Sequence, residues 1–212
     1  MEKKVSIESY ICDLSSSKPT PGGGSAAALT GALSSALTAM VFNLTIGKKV
    51  YESYNEEIKN KIDDALKACE EYNQLMVEFM KRDEEAFLSL MKAFKLSKST
   101  EEEKILRNKE LTKGYENALE VPFTLAKSGL ELYKYVYIAA QYGNASVISD
   151  AGVGAILLYS TIESSILNVN INLSGIKDEK YKENILNKCD EMIKEALDYK
   201  SKILELVYLK IK

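Results

Sequence analysis

Two aspartates stand where the surrounding pattern calls for apolar side chains. Asp83 lies four residues after Phe79 and four before Phe87. The stripe it interrupts steps at three and four through Ile58, Ile62, Leu66, Cys69, Tyr72, Met76 and Phe79, and resumes with Ala86, Phe87, Leu90 and Phe94. Unpaired buried charge is costly, so such an acid marks a functional site, a polar network or an exposed kink. Asp150 is set among Val147, Ile148, Ala151 and Val153, and only it and Glu163 are charged across residues 144–170. It reads either as an acid favoured by a helix N-terminus or as a second functional carboxylate. Histidine is absent, which rules out Ser-His-Asp triads, Cys-His dyads and imidazole zinc sites. Acid–base chemistry must then use Asp, Glu, Lys, Tyr or Cys, and a carboxylate doing it needs a pKa raised by burial.

Two further groups of residues suit ligand binding. Pro19-Thr20-Pro21-Gly22-Gly23-Gly24-Ser25 is a stiffened approach, a stripped backbone and a hydroxyl able to cap the helix that follows. A glycine loop at a helix N-terminus offers N–H groups and positive dipole to a carboxylate, phosphate or carbonyl-rich ring, although the same run also serves as a tight turn between touching helices. Asn168, Asn170 and Asn172 alternate with Val169, Ile171 and Leu173. That run terminates a helix, and its amides suit the edge of a heteroaromatic ring.

The elements that must position these groups are helices. A short one is predicted over about 4–14, then an uncharged helix over 24–47 in which Ala27, Gly31, Ser34, Ser35 and Thr38 recur at helical spacing and permit close approach. A long amphipathic helix follows over 52–97. Ser99 or Thr100 before three glutamates starts another, running to 141 with a bend at Pro122. A second nearly uncharged helix begins near Asn144, and an amphipathic one fills 178–212, with Ile185, Leu186, Cys189, Met192, Ile193, Ala196, Leu197, Ile203, Leu204 and Val207 on its apolar face. The fold class predicted is all-α: a single domain over 1–212, a bundle of about five long helices with two nearly uncharged ones central. The segment 24–47 has the length of a membrane span, but its Ser, Thr and Gly content favours a buried bundle helix.

Composition agrees. The chain has 212 residues, 28% charged and 46% hydrophobic, with three prolines. A net charge of −3 without a basic cluster argues against nucleic acid as partner. Three scattered cysteines without a CxxC fit a reduced, cytoplasmic chain. The opening residues lack an apolar core, so no signal peptide is expected.

Taken in order, the motifs resemble the cyclodeaminase/cyclohydrolase family of folate enzymes. Those carrying the resemblance are Pro19-Thr20-Pro21-Gly22-Gly23-Gly24-Ser25, Leu44-Thr45-Ile46-Gly47-Lys48-Lys49, Asp83 with Ala86-Phe87, Ala118 with Val121-Pro122, Gly143-Asn144 with Ser149-Asp150, and Asn168-Val169 with Ile171-Asn172-Leu173. The resemblance implies a dimer with its site near the subunit interface and a tetrahydrofolate substrate, with no cofactor beyond it and no metal. Two reactions are implied. One closes 5-formimino-tetrahydrofolate to the 5,10-methenyl compound with loss of ammonia; the other interconverts that compound with 10-formyl-tetrahydrofolate. A silent folate-binding helical dimer is the third reading. Asp83 and Asp150 would be the proton shuttles, with acid and base unassigned. Asn144, Asn168 and Asn172 would read the pterin edge, and Gly22, Gly23, Gly24 and Ser25 would hold a carbonyl or the glutamate tail. Lys48 and Lys49 would attract tail carboxylates, polyglutamate included.

Overall fold

A computed structural model describes residues 6–212. Helices α1 (Ile7–Leu14), α2 (Gly23–Asn43), α3 (Lys49–Glu52), α4 (Glu56–Phe94), α5 (Glu101–Tyr142), α6 (Ile148–Leu173) and α7 (Glu179–Ile211) follow one another, with a 3-10 turn at Ala145–Val147. Among the described residues no strand occurs. Five of the helices are long, as the periodicity predicts; the first residues of the helix expected from position 4 lie outside the described ones.

Local chemistry starts most helices. Asn55 Oδ1 takes the Ile58 N–H at 3.0 Å, Asp178 caps α7, and Thr100 with Glu103 forms a reciprocal capping box on α5. α2 departs from expectation at both ends. Its N-cap is Gly22, which has no side chain, and Ser25 sits one turn inside rather than at the cap. At the other end the uncharged run continues to Gly47, yet the helix stops at Asn43; the chain turns there, with Gly47 at φ +72°.

The two uncharged helices lie antiparallel at the centre. Gly23 of α2 faces Asn168 of α6, Gly31 faces Thr161, and Ser34 and Thr38 face Gly154. Small residues allow this approach, and hydroxyls fasten it. Ser34 Oγ donates to the Gly154 carbonyl at 2.8 Å, and Ser35 Oγ to that of Cys69 in α4 at 2.6 Å. Each such buried bond contributes about 1 kcal/mol net. Around them Phe42, Ile62, Met76, Phe79, Leu132, Tyr133, Leu158 and Ile162 are essentially sealed from solvent, each burial worth about 1.5–3 kcal/mol.

α5 runs without interruption through Pro122. Proline removes the N–H that would bond the Ala118 carbonyl. Asn172 Nδ2, from α6, supplies the missing donor at 2.7 Å.

The outer faces of α2 and α6 were expected to be buried and are not. Leu33 and Met40 on α2 with Leu44 just after it, and Val153, Ile156, Leu167 and Ile171 on α6, are exposed. Both helices are long and apolar enough to cross a membrane by length and composition, and 61% of the α2 window and 44% of the α6 window is buried within the bundle. On the amphipathic helices, Phe94, Leu186 and Leu197 of the predicted apolar stripes are also exposed. Cys69 and Cys189 are core fillers, while Cys12 is exposed.

Candidate functional site

The glycine loop and Asp83 meet. The Asp83 Oδ2 accepts the Ser25 N–H at 2.9 Å across a sequence gap of 58 residues. A carboxylate from α4 thus does the N-terminal capping that Ser25 was expected to do from within α2. Gly24 makes the approach possible: a Cβ there would stand 2.5 Å from the Asp83 Cγ. The Ser25 hydroxyl instead receives the Tyr10 O–H at 3.1 Å, which ties α1 across the loop.

The electrostatics at this point are uneven. Burial pushes the Asp83 carboxyl above its ordinary value, the Ser25 N–H pulls it back in part, and the neighbouring Glu84 adds to the rise. Burial raises Glu84 as well, helped by Asp13. Tyr10 is raised by its own burial, lowered by the Ser25 bond and raised again by Glu84 and Asp83. Asp83 is therefore a carboxyl that takes and yields a proton nearer neutrality than a solvated one.

A pocket of about 230 Å³ opens beside this carboxylate. Gly22, Gly23 and Gly24 form one wall, Ala86 and Phe87 of α4 another, and Asn168, Ile171 and Asn172 of α6 a third. Asn168 Nδ2 donates to the Ser164 carbonyl at 2.8 Å and Asn172 Nδ2 to Ala118. Each amide is oriented by its nitrogen, so the oxygen is the group available to a ligand donor.

The remaining predicted residues lie elsewhere. Asn144 fastens the α5–α6 connection to the end of α2: its Nδ2 donates to the Leu44 carbonyl at 3.1 Å, its backbone N–H to Thr45 Oγ1 at 2.8 Å, and its Oδ1 accepts from Ser146. It does not line the pocket. Asp150 is in the first turn of α6, about 27 Å along the axis from Asn168 at 1.5 Å per residue. Lys48 and Lys49 are exposed beyond the far end of α2. The chain therefore brings together Asp83, the glycines, Asn168 and Asn172, and separates them from Asp150, Asn144 and the lysines. The Ser25 N–H, expected to hold a ligand, is taken by Asp83.

Two residues at the site are absent from the sequence reading. Tyr10 carries no motif signal, since an aromatic residue in a short amphipathic helix reads as core. Glu84 was masked by its charged neighbours.

With the geometry established, comparison with known proteins gives a consistent result. Residues 6–191 match the family described as Formiminotransferase-cyclodeaminase. A methenyltetrahydrofolate cyclohydrolase of Methylorubrum extorquens is 36% identical over 211 residues, covering 100% of both chains. The formimidoyltransferase-cyclodeaminase of Gallus gallus is 35% identical over 187 residues, which is 88% of this chain and 34% of that one; the chain spans about a third of such relatives. The crystal structure of formiminotetrahydrofolate cyclodeaminase from Thermotoga maritima superposes with a TM-score of 0.84 at 29% identity, over 97% of this chain and 96% of the other. The chain belongs to the formiminotransferase-cyclodeaminase family.

Proposed function

We propose that the protein is a folate one-carbon enzyme acting on the carbon carried between N5 and N10 of tetrahydrofolate. Closure of 5-formimino-tetrahydrofolate to the 5,10-methenyl compound with release of ammonia is the first reading. The observation that carries it is the raised Asp83 carboxyl, held by the Ser25 N–H at the wall of a pocket edged by Asn168 and Asn172. The reaction passes through a tetrahedral carbon, and protons must leave one nitrogen and reach the departing amine. A carboxyl whose proton affinity is raised by burial suits such a transfer without histidine. The ionised form would also stabilise the cationic methenyl bridge. The Asn168 and Asn172 oxygens offer acceptors to N–H groups of a pterin edge.

The second reading, hydrolysis of the methenyl bridge by water, is favoured by the full-length similarity to a cyclohydrolase. The same carboxyl would then serve the attacking water. We place the protein in the cytoplasm, as a homodimer with a tetrahydrofolate substrate that carries a glutamate tail. The test is direct. Purified protein is mixed separately with 5-formimino-tetrahydrofolate and with 5,10-methenyl-tetrahydrofolate, and the methenyl absorbance is followed. Its appearance in the first mixture supports closure, its accelerated loss in the second supports hydrolysis, and no change in either overturns the folate reading.

A further inference from the structure

Two sequence motifs that lie 50 residues or more apart meet at one hydrogen bond. Ala118 and Pro122 stand four apart on α5, and Asn172 is the next-to-last residue of α6. Asn172 Nδ2 donates to the Ala118 carbonyl at 2.7 Å, and Ala118 and Asn172 both line the Asp83 pocket. Pro122 is buried and does not line it. Proline is the least favourable residue in a helix interior, yet it stands near the middle of α5, one turn from the pocket wall.

The backbone shows what the proline does. A carbonyl in an unbroken helix accepts the N–H four residues on, and a side chain from another helix must share it. Asn73 of α4 shares in this way on α2, which contains no proline: its Nδ2 reaches the Ala32 carbonyl at 3.1 Å. At Ala118 the helix offers no such N–H, because position 122 has none to give. Asn172 is then the donor to an undivided acceptor, and the bond is the shorter of the two. That bond settles which way the amide faces. A primary amide can turn over and present either its NH₂ or its oxygen. With the nitrogen drawn to α5, the oxygen is left for the pocket.

We propose that Pro122 is a positioning residue for the ligand site: by withholding an N–H from the Ala118 carbonyl it fixes Asn172 with its oxygen toward the pocket, so that this wall selects a ligand edge of N–H donors over one of carbonyl oxygens. Asn168, one turn earlier on α6, is fixed with the same sense by the Ser164 carbonyl, so two acceptors of one kind stand side by side. Asn168 needs no such device, since its partner belongs to its own helix. Asn172 must borrow a carbonyl from α5, and Pro122 is what frees it.

The proposal rests on the folate reading for its kinetic test, and a second readout is independent of turnover. Wild type, Pro122→Ala, Asn172→Ala and the double variant are compared on whichever folate the wild type turns over. Pro122→Ala is expected to raise KM about three- to tenfold, the weight of one oriented hydrogen bond. Its kcat should stay within twofold, because Asp83 is untouched, and its thermal midpoint should be unchanged or higher. Asn172→Ala should raise KM by a similar factor, and adding it to Pro122→Ala should raise KM little further. A purely structural proline would move the midpoint and leave KM alone, so a wild-type KM in Pro122→Ala overturns the proposal, as do KM effects that simply multiply. Pro122→Ser restores the same N–H under a different side chain and should match Pro122→Ala; a normal KM in either folded variant also overturns it. Independently, the Asn172 side-chain amide protons, assigned in NMR spectra by their loss in Asn172→Ala, should exchange with solvent more slowly in wild type than in Pro122→Ala. Equal exchange overturns the link between the two residues. If the wild type turns over neither folate, the functional reading fails while amide exchange still decides whether Pro122 holds Asn172.

Discussion

At the residue scale, Asp83 combines two duties that are normally separate: it caps a helix and faces a pocket. The duties can be separated by one substitution. Asp83→Asn retains an oxygen for the Ser25 N–H and removes the proton. Turnover is expected to fall by about 10²–10⁴-fold, with folate affinity nearly unchanged and thermal midpoint within a few degrees. A large fall in midpoint with normal turnover per folded molecule would show the acid to be structural. The direction of the pKa shift adds a sign. Burial raises the folded-state value above its usual 3.8, so between the two values the folded state binds more protons than the unfolded one. Stability contributed by protonated Asp83 is then present in acid and lost as pH rises through the raised value. Asp83→Asn should flatten that fall, which urea midpoints at pH 4.5 and 7 for both proteins would check. Tyr10→Phe removes the buried hydroxyl on Ser25 and is expected to cost about 1 kcal/mol, with a lowered kcat where the loop and carboxylate lose their common brace. The interruption at position 83 was legible because a charge broke a regular stripe. The cap was not, since its partner is 58 residues away and nothing local announces it.

At the element scale, periodicity locates helices and their inner faces but says nothing about which ends meet. The five long helices were legible for that reason, and so was the capping box of α5. Asp83 and Asp150 are separated within one chain because α4 and α6 both run antiparallel to α2 and so point the same way, with Asp83 in the C-terminal half of α4 and Asp150 in the first turn of α6. Asn144 lies apart from Asp83 for a related reason. A polar residue at a helix start suits a ligand or a neighbouring loop equally, and the choice depends on where α2 stops. α5 supplies a sharper test. Asn172→Ala strands the Ala118 carbonyl and is expected to cost about 1–3 kcal/mol. Pro122→Ala restores a backbone N–H to that carbonyl, so Asn172→Ala should cost much less in the Pro122→Ala background. A double-mutant cycle measured by denaturant midpoints gives the coupling; strictly additive effects would show that Asn172 does not substitute for the missing N–H.

At the scale of the whole molecule, the outer faces of α2 and α6 dominate. Ile156→Lys places a charge at mid-stripe on an exposed position, where a monomer should tolerate it within about 0.5 kcal/mol. If the face is covered in the assembly, light scattering should instead show a shift toward 23.6 kDa with helical content retained, and an unaltered dimer would place the interface elsewhere. The order of the helices along the chain has a further consequence, for synthesis. α2 is complete at Asn43, but its antiparallel neighbour is complete only at Leu173. At roughly 5–20 residues per second, an uncharged helix of membrane-span length emerges from the ribosome on the order of ten seconds before the helix that shelters it. The hydroxyls of Ser34 and Thr38, which face Gly154 of α6 and are fully buried at the end, stay wetted until α6 arrives, whereas that of Ser35 waits only for Cys69 of α4. They lower the hydropathy of the nascent segment when an insertion machinery or a chaperone would first meet it, and later become the pins that hold α2 in place.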